Sequence, residues 1–307
     1  MSQDPSSTHP TLDLVLDALM SRYKARVPDV DKIIQAMLQE RLIDDAEELE
    51  NDHIAFRTMG VPQLGIASLE KLFLHLGYQR RDAYHFETKK LDAFWYSPPT
   101  PKYPRIFISE LRVAELSPKA RETILYYTNE VERDPVDALD LDDGHAVGAF
   151  LHQALWRLPT LEDYRLLAAE SEYAAWVIYN RYYLNHFTIS VHNLPEGFDT
   201  VETFNAFLER QGVALNDAGG KLKRSPDGLL LQSSTVAELV EAEFAGGVRE
   251  KIAGSYVEFA ERRVLEAYRE LPRTALRREH RREGFEAGNA DKIFESTYSS
   301  QLSRRHA

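Results

Sequence analysis

Apolar residues recur along this chain first at helical spacing and then at strand spacing. Leu12, Val15, Leu16, Leu19 and Met20 follow the helical period and predict a helix from Leu12 to about Tyr23. Ile33, Ile34, Met37 and Leu38 predict a second helix between Val30 and Leu42, and both helices are expected to cover one side of a sheet. Over residues 51–58 the period shortens to two. Ile54 and Phe56 alternate with His53, Ala55 and Arg57, so a strand here carries an imidazole and a guanidinium on one face. Gly60, Pro62 and Gly65 mark a loop. Ser68 is then placed to cap a helix bearing Leu69, Leu72, Phe73 and Leu76, which Gly77 ends. Three strand-like runs follow, at 78–86, 91–96 and 105–113, the last two separated by the stiff proline-rich connector 97–101.

From Ser117 to Tyr182 the pattern is helical, with Thr160-Leu161-Glu162-Asp163 resembling a capping box. Its aromatic residues, among them Trp156, Tyr173, Trp176 and Tyr179, read as core rather than as contacts to a cofactor. Strand alternation returns at 185–192, where His186, Thr188, Ser190 and His192 share one face and Phe187, Ile189 and Val191 the other. A helix from Thr200 through Phe204, Phe207 and Leu208 to Gly212 follows, then strands at 229–235 and 254–262. The order repeats: His53 stands 24 residues before the helix-ending Gly77, and His186 stands 26 before Gly212. This spacing predicts a divergent internal duplication and an α+β fold of two βαβββ modules, with additional helices, whose sheets enclose one cavity. Module one spans about 50–115, a helical insert about 117–183, module two about 184–264 and a C-terminal segment about 265–307. Residues 1–10 are expected to be disordered, and 11–307 to form a single catalytic domain.

Composition narrows the chemistry. A net charge of −12 argues against a nucleic-acid partner and against an anionic membrane surface. The chain has no cysteine, which excludes disulfides, thiolate metal sites, iron–sulfur clusters and a cysteine nucleophile. No positively charged region leads into an apolar run at the N-terminus, and no apolar stretch reaches transmembrane length, so a cytoplasmic location is expected. Glycine-rich phosphate loops, Gly-x-Ser-x-Gly elbows and His-Glu-x-x-His motifs are missing.

What remains is a metal constellation. His53 and His186 occupy matching first strands, and without cysteine their third partner is a carboxylate. Glu258, between Val257 and Phe259, lies in a run apolar enough to be buried, and a buried carboxylate needs a partner; this and the resemblance given below favour it. Glu110, on the matching strand of module one, is the competing donor. Two histidines and a carboxylate on one side of a divalent ion form the facial triad of non-haem Fe(II) oxygenases, with positions left open for substrate and O2. His192 shares the His186 face but lies roughly 20 Å further along the strand. His75, His85, His145 and His152 read as surface or packing residues, and the basic run 277–282 as a solvated helix or loop.

Four motifs in order, His53-x-Ala55-Phe56-Arg57-Thr58, Asn185-His186-Phe187-Thr188, Val257 to Arg262 and Gly284 to Asp291, resemble the 2-oxoadipate dioxygenase/decarboxylase family. The resemblance covers about His53 to Tyr298 and implies a vicinal-oxygen-chelate type fold. It implies Fe(II) held by His53, His186 and Glu258, with Arg57 contacting the substrate beside the two histidines. The implied reaction takes O2 as co-substrate, decarboxylates a 2-oxo acid oxidatively and hydroxylates the shortened acid, turning 2-oxoadipate into 2-hydroxyglutarate plus CO2 as in lysine breakdown. Thr188 and Ser190 are candidate pocket hydroxyls, and the 284–291 segment, through Gly288 and its neighbours, is a candidate closure of the pocket. An O2-independent isomerase or lyase of the same fold, and a non-catalytic small-acid binder, are the competing readings.

Overall fold

A computed structural model describes residues 9–305. The chain opens with helices α1 (Pro10–Arg26) and α2 (Pro28–Gln39), then strand β1 (Asn51–Met59) and helix α3 (Ile66–His75). Strands β2 (Gln79–Phe86), β3 (Leu91–Ser97) and β4 (Arg105–Leu111) complete the first module. Helices α4 (Pro118–Thr128), α5 (Gly144–Phe150), α6 (Leu161–Glu170) and α7 (Glu172–Asn180) follow. Strand β5 (His186–Ser190) begins the second module, with α8 (Val201–Arg210), β6 (Lys223–Arg224) and β7 (Leu230–Ser234) after it. A hairpin of β8 (Leu239–Glu243) and β9 (Arg249–Ala253) precedes β10 (Tyr256–Arg262), and α9 (Ala287–Ile293) and α10 (Ser299–Arg305) end the chain. Both modules therefore run βαβββ, the second interrupted by the hairpin.

The chain divides into two compact units. The first comprises the residues up to Arg26, Ile54–Asn185 and Leu239–Ser255. Here β2, β3 and β4 pair antiparallel in sequence order, and β1 lies beside β4. Helix α1 packs on α5 so closely that a Cβ on Gly148 would come within 2.8 Å of the Ala18 Cβ. The β8–β9 hairpin buries Ala242, Phe244 and Ile252 against Tyr164 and Tyr179.

The second unit comprises Val27–His53, His186–Glu238 and the chain from Tyr256 onward. Its strands lie in the order β5-β10-β7-β6, with β10 parallel to β5 and antiparallel to β7. Register places Glu258 opposite both Thr188 and Ser234, and Tyr256 opposite His186. Opposed residues share a sheet face, so His186, Thr188, Tyr256 and Glu258 point the same way. Val257 and Phe259 point the other way, where Phe259 meets Phe204 of α8 at a ring separation of 5.3 Å. The start of β1 joins this unit: Ser190 N–H donates to Glu50 O at 3.0 Å.

Several local expectations change. Helix α3 starts two residues before Ser68, capped by Gly65, because the Ser68 hydroxyl donates to Asp134 instead. The two N-terminal helices belong to different units: α1 packs with α5 in the first, and α2 contacts β10 in the second. Pro10 opens α1, and the rest of the expected disordered segment, residues 1–8, lies outside the described residues. The hairpin escapes the sequence pattern because Glu241, Glu243, Glu250 and Lys251 interrupt its apolar positions. Thr160 caps α6 as expected, its hydroxyl accepting from Asp163 N–H at 3.0 Å. Among the described residues, no helix is long and apolar enough to cross a membrane.

Gly148→Val forces a branched side chain into the α1–α5 contact. It is expected to cost about 1–3 kcal/mol, read as a lower midpoint of denaturant unfolding with an unchanged far-ultraviolet spectrum in the folded state.

Candidate metal centre

The second unit gathers His53 from β1, His186 from β5 and Glu258 from β10 at one point, each at most 6% exposed. His186 Nε2 lies 3.0 Å from Glu258 Oε2, and His53 Nε2 lies 3.4 Å from the same oxygen. The two Nε2 atoms are 3.4 Å apart. Donors at about 2.0–2.2 Å from a common cation stand about 3–3.5 Å from one another when they occupy neighbouring positions. The spacing of this set therefore fits three ligands on one side of a divalent metal ion.

The protonation pattern follows from burial. Desolvation works against a charged Glu258, but the two neighbouring imidazoles overcome it and hold the carboxyl at about 2. Desolvation likewise opposes a charged His53, yet the Glu258 charge and the hydrogen bonds to Asp52 and Glu258 raise its pKa above the ordinary imidazole value. Asp52 Oδ2 lies 2.8 Å from His53 Nδ1, so in the neutral ring the proton sits on Nδ1 and Nε2 faces the cluster. Asp52 in turn accepts from both Nε and Nη2 of Arg262, at 2.7 and 2.9 Å. Glu258 Oε1 accepts from Gln232 Nε2 at 2.6 Å.

The other sequence-nominated residues have distinct surroundings. Thr188 Oγ1 is 3.0 Å from His53 Nε2, beside the cluster. The Ser190 hydroxyl donates to Glu50 Oε1, which turns it to that carboxylate. Arg57 lies in the first unit, buried, with its guanidinium carbon 5.2 and 5.3 Å from the ring centroids of Tyr173 and Trp176. Glu110 is drawn to the start of α3, where it accepts from Ile66 N–H at 2.8 Å. His192 accepts from the Arg262 backbone N–H at 3.2 Å, and burial pushes its pKa down to about 3. Gly288 stands exposed in α9 with nothing within 4 Å of an added Cβ, so no close backbone approach demands a glycine there. The basic run is less solvated than its composition suggests: Arg281 donates to Arg262 O at 2.8 Å, and both Arg281 and Arg282 are half-buried.

Sequence reasoning assigns no role to Asp52 or Gln232, quotes Arg262 only within a motif, and places Phe285 and Asn289 in a pocket-closing segment without giving either a partner. One signal was available for Arg262. A guanidinium in an apolar strand has to find a carboxylate, because an unpaired buried charge is too costly.

The two βαβββ modules place the chain in the vicinal-oxygen-chelate class of folds. A glyoxalase-superfamily protein from Ralstonia eutropha shares the fold at a TM-score of 0.68 and 20% identity, over 89% of this chain and 85% of that one. Within that class the chain belongs to the 2-oxoadipate dioxygenase/decarboxylase family, whose profile matches residues 15–278. It is 43% identical over 302 residues to the chloroplastic 2-oxoadipate dioxygenase/decarboxylase of Arabidopsis thaliana, covering 95% of this chain and 78% of that one. The crystal structure of the hydroxyglutarate synthase from Oryza sativa in complex with 2-oxoadipate superposes with a TM-score of 0.88 at 41% identity, over 99% of both chains.

If the cluster takes a metal, the ion has to displace the proton from His53, so loading should release one proton and weaken by about tenfold per pH unit below the raised imidazole pKa. Chelator competition across pH reads this, and a flat profile would contradict it. The metal-free protein runs the opposite way. A raised imidazole pKa stabilises the fold below the unfolded value, and that contribution disappears as pH rises through the folded pKa.

Proposed function

We propose that this protein is an Fe(II)-dependent dioxygenase that decarboxylates 2-oxoadipate oxidatively and hydroxylates the product, giving 2-hydroxyglutarate and CO2. The observation that carries the reading is the buried set His53, His186 and Glu258, with donor atoms facing one another at 3.0 to 3.4 Å. Family membership supports the choice of reaction, and the rice hydroxyglutarate synthase solved with 2-oxoadipate supports the choice of acid. Atoms balance with one O2: one oxygen completes the new carboxylate and the other becomes the hydroxyl, while the original carboxylate leaves as CO2.

His53, His186 and Glu258 would hold the iron, two neutral donors and one anion that leave a net positive charge to attract an anionic acid. Fe(II) held there would supply the redox capacity for the reaction of a 2-oxo acid with O2. The protein's own residues do the rest. Asp52 keeps His53 in the tautomer whose Nε2 faces the cluster. Glu258 stays ionised across the physiological range because its pKa lies at about 2. Thr188 places a hydroxyl against the His53 donor atom. Burial of all three donors keeps bulk water from competing for the site.

Arg57 is the substrate-binding cation in this reading. It follows His53 by four residues on β1, so strand alternation gives both the same face. The Tyr173 and Trp176 rings leave its planar fork desolvated, where a bidentate carboxylate bond is strong.

Iron-loaded protein should consume O2 and release CO2 one to one with 2-oxoadipate, without added 2-oxoglutarate. No O2 uptake with any 2-oxo acid would reject the oxygenase reading in favour of an isomerase, lyase or binder. His53→Ala and His186→Ala should each lose tightly held metal. Arg57→Met should retain it but raise the half-saturating acid concentration by at least about 30-fold, and unchanged saturation would remove Arg57 from the binding role.

A further inference from the structure

Two lines of hydrogen bonds leave the donor cluster, and both end on the same stretch of chain. From His53 the first runs through Asp52 to Arg262. The remaining nitrogen of that fork, Nη1, donates to the main-chain oxygens of Gly284 at 2.7 Å and Arg282 at 3.1 Å. From Glu258 the second runs through Gln232, whose Oε1 accepts from Asn289 Nδ2 at 2.9 Å. Between these lines the Phe285 ring stands edge-on to the His53 ring, centroids 4.7 Å apart, and lies 5.4 Å from the Arg262 guanidinium carbon. Gly284 has φ +73°, a left-handed turn that L side chains rarely adopt. At this turn the Arg282 and Gly284 carbonyls both face Arg262, and Phe285 follows directly.

We propose that the segment from Arg282 to Asn289 is a positioning element for the metal ligands, setting His53 through Arg262 and Asp52 and setting Glu258 through Gln232. The claim rests on the reading of His53, His186 and Glu258 as metal ligands. The segment supplies none of the three donors. Its residues act by removing rotational freedom from donors that must converge within a few tenths of an ångström. Asp52 and Arg262 are each 1% exposed, so while the segment is docked neither can trade its partner for water. Reciprocity follows from linkage. If docking of the segment tightens metal binding, then metal binding tightens docking of the segment by the same factor.

Asn289→Leu tests the Glu258 line, because leucine keeps the branching and heavy-atom count of the asparagine and donates nothing to Gln232. Anaerobic titration with Co(II) reads affinity, and the visible absorption of the bound ion reads ligand geometry. The variant is expected to bind Co(II) about 10- to 100-fold more weakly than the wild type, with a changed spectrum. Phe207→Leu on α8, buried but outside both lines, supplies the comparison: it should lower thermal stability and leave Co(II) affinity and spectrum unchanged. Hydrogen exchange on the unmutated protein gives an independent measurement. Co(II) should slow the amides of residues 284–289 by at least about tenfold relative to the metal-free protein. Wild-type affinity and spectrum in Asn289→Leu, an equal loss in Phe207→Leu, or metal-independent exchange would each overturn the proposal. A wild-type protein that binds no Co(II) would fail earlier, rejecting the metal reading and the positioning claim together.

Discussion

A carboxylate with almost no contact with water is the constraint around which the second unit is arranged. Glu258 is 1% exposed and ionised, a state that desolvation alone would forbid. Two imidazoles at 3.0 and 3.4 Å and the Gln232 amide at 2.6 Å make it tenable. Each compensating group needs a holder of its own. His53 is held by Asp52, Asp52 by Arg262, and Arg262 by two main-chain oxygens. The burial of one charge thus organises a chain of partners reaching from β1 to the end of the molecule. A structural ion cluster and a metal site differ here in one respect. Here three donor atoms face the same point rather than pairing off separately.

Sheet register turns this constraint into geometry. Parallel pairing of β10 with β5 aligns Tyr256 with His186 and Glu258 with Thr188. The same pleat that aims Glu258 at the cluster aims Val257 and Phe259 at the opposite face, where Phe259 packs on α8. A one-residue slip of β10 would bury the carboxylate under a helix and expose Phe259 to the donors. The apolar packing behind the sheet and the chemistry in front of it therefore enforce one register.

How much of the site is legible in the sequence depends on the range of each contact. Alternation around His53 and His186 is local, so the facing residues can be named from the string alone. Glu258 is legible because an acidic residue in an apolar strand demands a partner. Ser68 misleads: its type and place suggest a helix cap, but Asp134, 66 residues away, takes its hydroxyl. Gly288 misleads in another way, since a glycine beside a motif suggests close approach where α9 leaves open space. The β8–β9 hairpin is missed because charged residues blur its pattern.

The sequence by itself determined the two βαβββ modules, the pairing of His53 with His186 and the nomination of Glu258 over Glu110. These depend on period, order and residue type, which are properties of neighbouring positions. Only the tertiary structure decided which atoms support the donors. Adjacent strand residues are expected to point apart, yet Asp52 reaches back to the His53 ring, and it meets Arg262 across 210 positions of chain. Asn289 finds Gln232 across 57, and Glu110 settles on the start of α3 rather than beside a metal. Such partners are chosen by where folded strands and segments come to lie, and no local spacing encodes that.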